Sequence, residues 1–201
     1  MTRNAVKTGI TASIFLIFAL SSWAWALSPD DALTERSKNA FRMTMRLGEI
    51  KNARSIFDHH VIGPLAAVLK KEKTGGVMYA LTLAFELNPK ALVFAVGTDA
   101  GRQFFQMAAT MPETALPQLQ LIELGIATET ELIEFLTGGS QESEKLNPVI
   151  SEGKNGPYYV IKDAIFLAAR ENLLLVALSK DDLGASLKAL DKTNAKRFVK
   201  A

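Results

Sequence analysis

Two pairs of apolar runs, each pair broken by a short turn signal, constrain this chain most. Ala91–Thr98 and Phe104–Thr110 flank Asp99-Ala100-Gly101-Arg102. Ala164–Ala169 and Leu173–Leu178 flank Glu171-Asn172. Strands joined by so few residues must run antiparallel, because a parallel neighbour needs a long crossover. Gly101 and Asn172 are expected in the turns with left-handed backbone angles. Two of these runs, Ala91–Val96 and Leu173–Leu178, are apolar almost without a break. Such strands are buried on both faces or contact something else. The fold class that follows is α+β, with antiparallel β-hairpins packed against helices.

The rest of the chain supplies the helices. Phe41, Met43, Met45 and Leu47 alternate with polar residues, which suits a strand with one buried face. A short helix is expected from Asn52 to His59, and another opens at Gly63-Pro64 and closes over Lys70–Lys73. Gly75-Gly76 is read as a break, followed by a helix from Val77 that stops before Asn88-Pro89. A helix over 115–124 ends at Gly125. The next starts at the capping box Thr128-x-x-Glu131 and stops at Gly138-Gly139. Residues 139–157 have the composition of a loop, and Tyr158–Ile161 that of a strand. Ser179-x-x-Asp182 caps a last helix, expected to reach about Leu190.

Residues 91–124 and 164–190 therefore share the order strand, turn, strand, helix. Ala91-Leu-Val-Phe-Ala-Val-Gly97 and the run from Ala164 to Ser179 carry a pattern-level resemblance. They are similar to modules in exported bacterial proteins of unknown function built from strand-turn-strand-helix units. The resemblance implies a short or truncated member of that group and transfers no catalytic residue.

The N-terminus agrees with export. Arg3 and Lys7 precede an uncharged apolar stretch, Ile10–Trp25, that ends in Ala24-Trp25-Ala26. A basic start, an apolar core and a small-x-small ending are the three parts of a signal peptide, here 1–26. An uncleaved anchor is the alternative, but the run is short for a membrane span. Residues 27–40 are polar and read as a flexible segment, and 41–201 as a single domain. The mature chain is placed in the periplasm or outside the cell, with no second transmembrane segment.

Without the leader, charge vanishes as a guide. The full chain has 23 basic and 21 acidic residues; two basic and no acidic ones lie in 1–26, so 21 of each remain. A net attraction to nucleic acid is not expected. Cysteine is absent, which excludes disulfides, thiolate metal sites and a lipid-carrying cysteine.

Candidate chemistry is thin. Asp58-His59-His60 holds both histidines of the chain. One family of metal-dependent phosphoesterases grips a divalent ion with such a run, which makes a metal-assisted hydrolase the alternative function. That site needs further ligands from elsewhere, and a histidine near a helix end is also explained by the helix dipole. Ser55 lies four residues before His59, but no Gly-x-Ser-x-Gly elbow exists. No glycine cluster matches a phosphate-binding loop, and no cofactor is expected. Residues 113–144 carry seven glutamates and no basic residue. Glu123, Glu129, Glu131 and Glu134 are accordingly candidate partner-binding residues, against the plainer reading of solvated helix faces. The leading expectation is an exported, non-enzymatic binding or interaction module. Its partner would be a protein or a small apolar ligand of the cell envelope. N-terminal sequencing of protein from the producing cell should give Leu27 as the first residue; Met1 retained on membrane-bound material would revive the anchor.

Overall fold

The computed structural model describes residues 27–34, 40–46, 59, 71–99, 101–137, 146 and 148–200. Its centre is a seven-stranded, wholly antiparallel sheet in the order β1-β2-β3-β7-β6-β5-β4. The strands are β1 Phe41–Arg46, β2 Ala91–Asp99, β3 Arg102–Thr110, β4 Val149–Gly153, β5 Gly156–Ile161, β6 Ile165–Arg170 and β7 Leu173–Ala177. Helices α1 (Lys71–Glu86), α2 (Leu116–Leu124), α3 (Glu129–Thr137) and α4 (Lys180–Lys200) accompany it. The α+β expectation holds at this level.

Both apolar runs behave as their composition requires. Leu92, Phe94 and Val96 of β2, with Phe105, Met107 and Ala109 of β3, face a core built with α1, α2 and α3. Val93 and Ala95, with Phe104 and Ala108, face the opposite way, toward α4 and the N-terminal segment. β6 and β7 split in the same manner, Leu167, Ala169, Leu174 and Val176 to one side and Ala168, Leu173, Leu175 and Ala177 to the other. The continuous apolarity is thus consumed inside the molecule, on both faces of one sheet.

The two hairpins meet through β3 and β7, paired from Gln106↔Ala177 to Thr110↔Leu173. Their helices do not follow suit. α2 crosses to lie on β5 and β6, whereas α4 covers β7, β3 and β6 from the other face.

Local signals account for the ends of most elements. Thr128 and Glu131 form the reciprocal capping box, with N–H of Glu131 donating to Thr128 Oγ1 at 3.2 Å and N–H of Thr128 donating to Glu131 Oε2 at 2.8 Å. N–H of Asp182 donates to Ser179 Oγ at 3.1 Å, while the Ser179 hydroxyl donates to Asp182 Oδ2 at 2.7 Å. α1 stops where Asn88, ahead of Pro89, takes φ 49°. Gly101 has φ 77° as expected, but in the second turn Glu171, not Asn172, is left-handed, at φ 51°.

Four expectations need correction. Gly75-Gly76 lies within α1. Two glycines cost a helix about 2 kcal/mol, and burial of Val77, Ala80, Leu81, Leu83 and Ala84 outweighs that. The loop expected over 139–157 contains β4 and the start of β5. β4 is an edge strand, so its Ser151, Glu152 and Gly153 look like loop composition. α4 runs past Leu190 to Lys200, an extension in which Lys192, Ala195, Lys196, Arg197 and Lys200 are good helix formers. Residues 27–34, read as loose, are tied down: Ser28 caps a 3-10 turn, Pro29–Ala32, and Leu27, Ala32 and Leu33 are buried. The helices expected over 52–59 and from Gly63-Pro64 lie outside the described residues, apart from His59.

Two left-handed glycines separate backbone strain from packing. A Cβ on Gly101 meets nothing within 4 Å, whereas one on Gly125, at φ 70°, falls 2.6 Å from Pro157 Cβ. Gly101→Ala should therefore cost about 1 kcal/mol for the left-handed backbone alone. Gly125→Ala should cost clearly more in a denaturant titration; equal losses would contradict this packing.

Candidate functional site

A polar network crosses the second face of the sheet. Gln106, 2 % exposed in the middle of β3, donates from Nε2 to the Asp182 carbonyl at 2.9 Å. Its Oε1 accepts from the Thr34 hydroxyl at 3.0 Å. One amide thereby ties the N-terminal segment, the sheet and the start of α4 together. Its polar groups are satisfied by the fold itself, so its role is structural.

Beside this network lies a cavity of about 240 Å³, between the β4–β5 turn and the first turns of α4. Tyr158, Leu183 and Leu187 are its buried apolar lining. Lys154, Lys180 and Asp181, all exposed, stand at its rim. Lys180 Nζ lies 5.4 Å from the centre of the Tyr158 ring, within reach of the attraction between a cation and a π face. The turn is held rigidly. Asn155 Nδ2 donates to the Gly184 carbonyl at 2.9 Å, and Arg170 donates to the Asn155 carbonyl. Arg170 itself stands 3.9 Å from Glu123 and 3.7 Å from Asp191.

Gly184 is the odd member of this site. It sits inside α4, where glycine costs about 1 kcal/mol relative to alanine. Packing does not demand it, because a Cβ there would meet only Asn155 Nδ2 at an ordinary 3.7 Å. What glycine preserves is open space beside the cavity. Two ammonium groups against one carboxylate at the rim favour an anion, and the lining favours carbon. A second concavity, of about 510 Å³, is lined by Leu87, Met111, Phe135 and neighbours at the C-terminal end of α3. Among the described residues its wall holds no basic side chain.

The residues singled out from sequence are scattered. His59 is exposed, and Asp58 and His60 lie outside the described residues. Among the described residues no group of three His, Cys, Asp or Glu side chains could hold a metal ion. The four glutamates divide by role. Glu123 accepts from the Glu171 N–H at 2.9 Å and steadies the β6–β7 turn. Glu131 is the capping residue of α3, and these hydrogen bonds from the Thr128 N–H and hydroxyl hold its carboxyl below the usual range. Glu129 and Glu134 are exposed. Sequence reasoning missed the cavity at Gly184. The available signals were the Gly153-Lys154-Asn155-Gly156 turn and a glycine inside the last helical pattern.

No protein-family model matches the chain, and neither the curated proteins nor the solved structures give a match. Among the described residues no helix is long and apolar enough to cross a membrane.

Glu131 makes a pH test available. Its folded-state pKa is lowered, so its contribution is present above the unfolded value and is lost as pH falls through the folded one. Glu131→Gln should be less stable than the parent at neutral pH. The gap in melting temperature should close on acidification below the ordinary carboxylate range; a gap constant with pH would contradict the charged cap.

Proposed function

We propose that this is an exported, non-catalytic binding module of the bacterial cell envelope. Its ligand is small, with an apolar body and one anionic group, and it occupies the cavity beside Tyr158. The observation that carries this reading is Gly184, which leaves space that packing does not require at the edge of an apolar pocket rimmed by Lys154 and Lys180. The leader at 1–26 supports the location. The apolar body would lie on Leu183, Leu187 and the Tyr158 ring, and the anionic group would meet the two lysines. This refines the expectation of an apolar ligand, since both apolar faces of the sheet are already covered by the chain's own elements.

The test is thermal denaturation of the mature protein with aliphatic and aryl carboxylates and their neutral amides. The carboxylates should raise the melting temperature and the amides should not. Gly184→Leu, which fills the space, should abolish the shift. Gly184→Ala should fold and be more stable by about 0.4–1 kcal/mol. Equal shifts from acids and amides, or shifts that persist in Gly184→Leu, would contradict the proposal.

A further inference from the structure

The two edges of the sheet are not alike. β1 carries Arg42 and Arg46, exposed charges of the kind that keep an edge from pairing. Its exposed Phe41 still leans on Phe94, with ring centres 6.2 Å apart. β4, at the other edge, has no such basic guard. Its Val149 and Ile150 are exposed, and no described strand pairs with its outer side. Among the described residues Leu124 and Ile126 are the most exposed large apolar side chains, at 67 % and 60 %, and they flank Gly125. A Cβ on Gly125 would fall 3.3 Å from Ile150 Cδ1, so the end of α2 rests on β4 at that point. Leu124 and Ile126, on either side of Gly125, thus stand next to Ile150 as one apolar strip beside a strand edge that no described strand pairs. Exposed apolar residues scattered singly need no explanation, but a contiguous strip does.

Carboxylates stand beside the strip, while exposed Lys154, at the far end of β4, belongs to the rim of the Tyr158 cavity. Glu152 lies two residues from Ile150 on the same face of β4. Glu129 and Glu131 open α3 directly after Ile126-Ala127-Thr128. Tyr159, the ladder partner of Ile150, donates its hydroxyl to the Ala127 carbonyl at 3.0 Å, which fixes this acidic turn above the strip. A second copy is a poor occupant. It would carry the same glutamates beside the same strip and offer them no basic side chain from β4.

We infer that the β4 edge is a docking site for an extended segment of another polypeptide in which apolar residues alternate with Lys or Arg. The segment adds to the sheet as an eighth strand. Main-chain hydrogen bonds to β4 supply the register, and its apolar side chains cover Leu124, Ile126 and Ile150. Its basic side chains meet Glu129, Glu131 and Glu152. This surface lies outside the Tyr158 cavity and does not rest on that proposal.

The experiment uses the mature protein and three synthetic peptides. One alternates valine and lysine, one alternates valine and glutamate, and one repeats the first with N-methylated peptide bonds. Binding is followed by fluorescence anisotropy, and β4 amides by hydrogen exchange. The valine–lysine peptide should bind saturably and protect amides of β4. The Leu124→Lys/Ile126→Lys variant should lose about tenfold or more in affinity while keeping the parent's melting temperature, since these two side chains are exposed at 67 % and 60 %. Equal binding of the glutamate or N-methylated peptide would overturn the inference. So would failure of every peptide to bind, or self-association of the parent that the same substitutions abolish.

Discussion

The pairing of β3 with β7 is the contact on which the rest of the molecule depends. It runs from Gln106↔Ala177 to Thr110↔Leu173 and joins β1-β2-β3 to β7-β6-β5-β4. Each strand beside the seam is apolar on both faces, so each face must be covered once the seam forms. The chain does this with α1, α2 and α3 on one side and α4 with residues 27–34 on the other. Covering both faces removes the sheet's flat surfaces from function. The proposed recognition sites accordingly lie on the rim: the turn and helix start around Gly184, and the β4 edge, which no described strand pairs.

Gln106 shows how the second face is made specific. An apolar residue at that position would pack against α4, but it would leave the Asp182 carbonyl and the Thr34 hydroxyl without this partner. Each such hydrogen bond contributes about 0.5–1.5 kcal/mol. The amide selects one seating of α4 and of the N-terminal segment. The cavity beside Tyr158 inherits that precision, because its walls are the first turns of α4 and a β4–β5 turn bonded to them by Asn155.

Much of the fold was legible because it is written in local signals. The tight turns at Gly101 and at Glu171-Asn172, the caps at Thr128 and Ser179, and the stop at Asn88-Pro89 need only neighbouring residues. The failures share a different cause. α1 continues through Gly75-Gly76 because distant core contacts override propensity. β4 escaped because an edge strand is half solvated and resembles a loop. Leu27, Ala32 and Leu33 are too sparse to show a period, yet they are buried by α4 and the sheet. The cavity was illegible for the same reason: Gly184 is informative only once Asn155 and Tyr158, distant in sequence, are known to face it. Glu123 and Glu131, singled out for their charge, also serve turn and cap geometry.

Native-state hydrogen exchange tests the central claim most directly, that one seam holds a sheet covered on both faces. Amides of 106–110 and 173–177 are expected to exchange slowest, and only through global unfolding, with those of α1 and α4 opening at similar or lower free energy. Exchange of the β1-β2-β3 half independently of the β4–β7 half, with the seam amides unprotected, would contradict it.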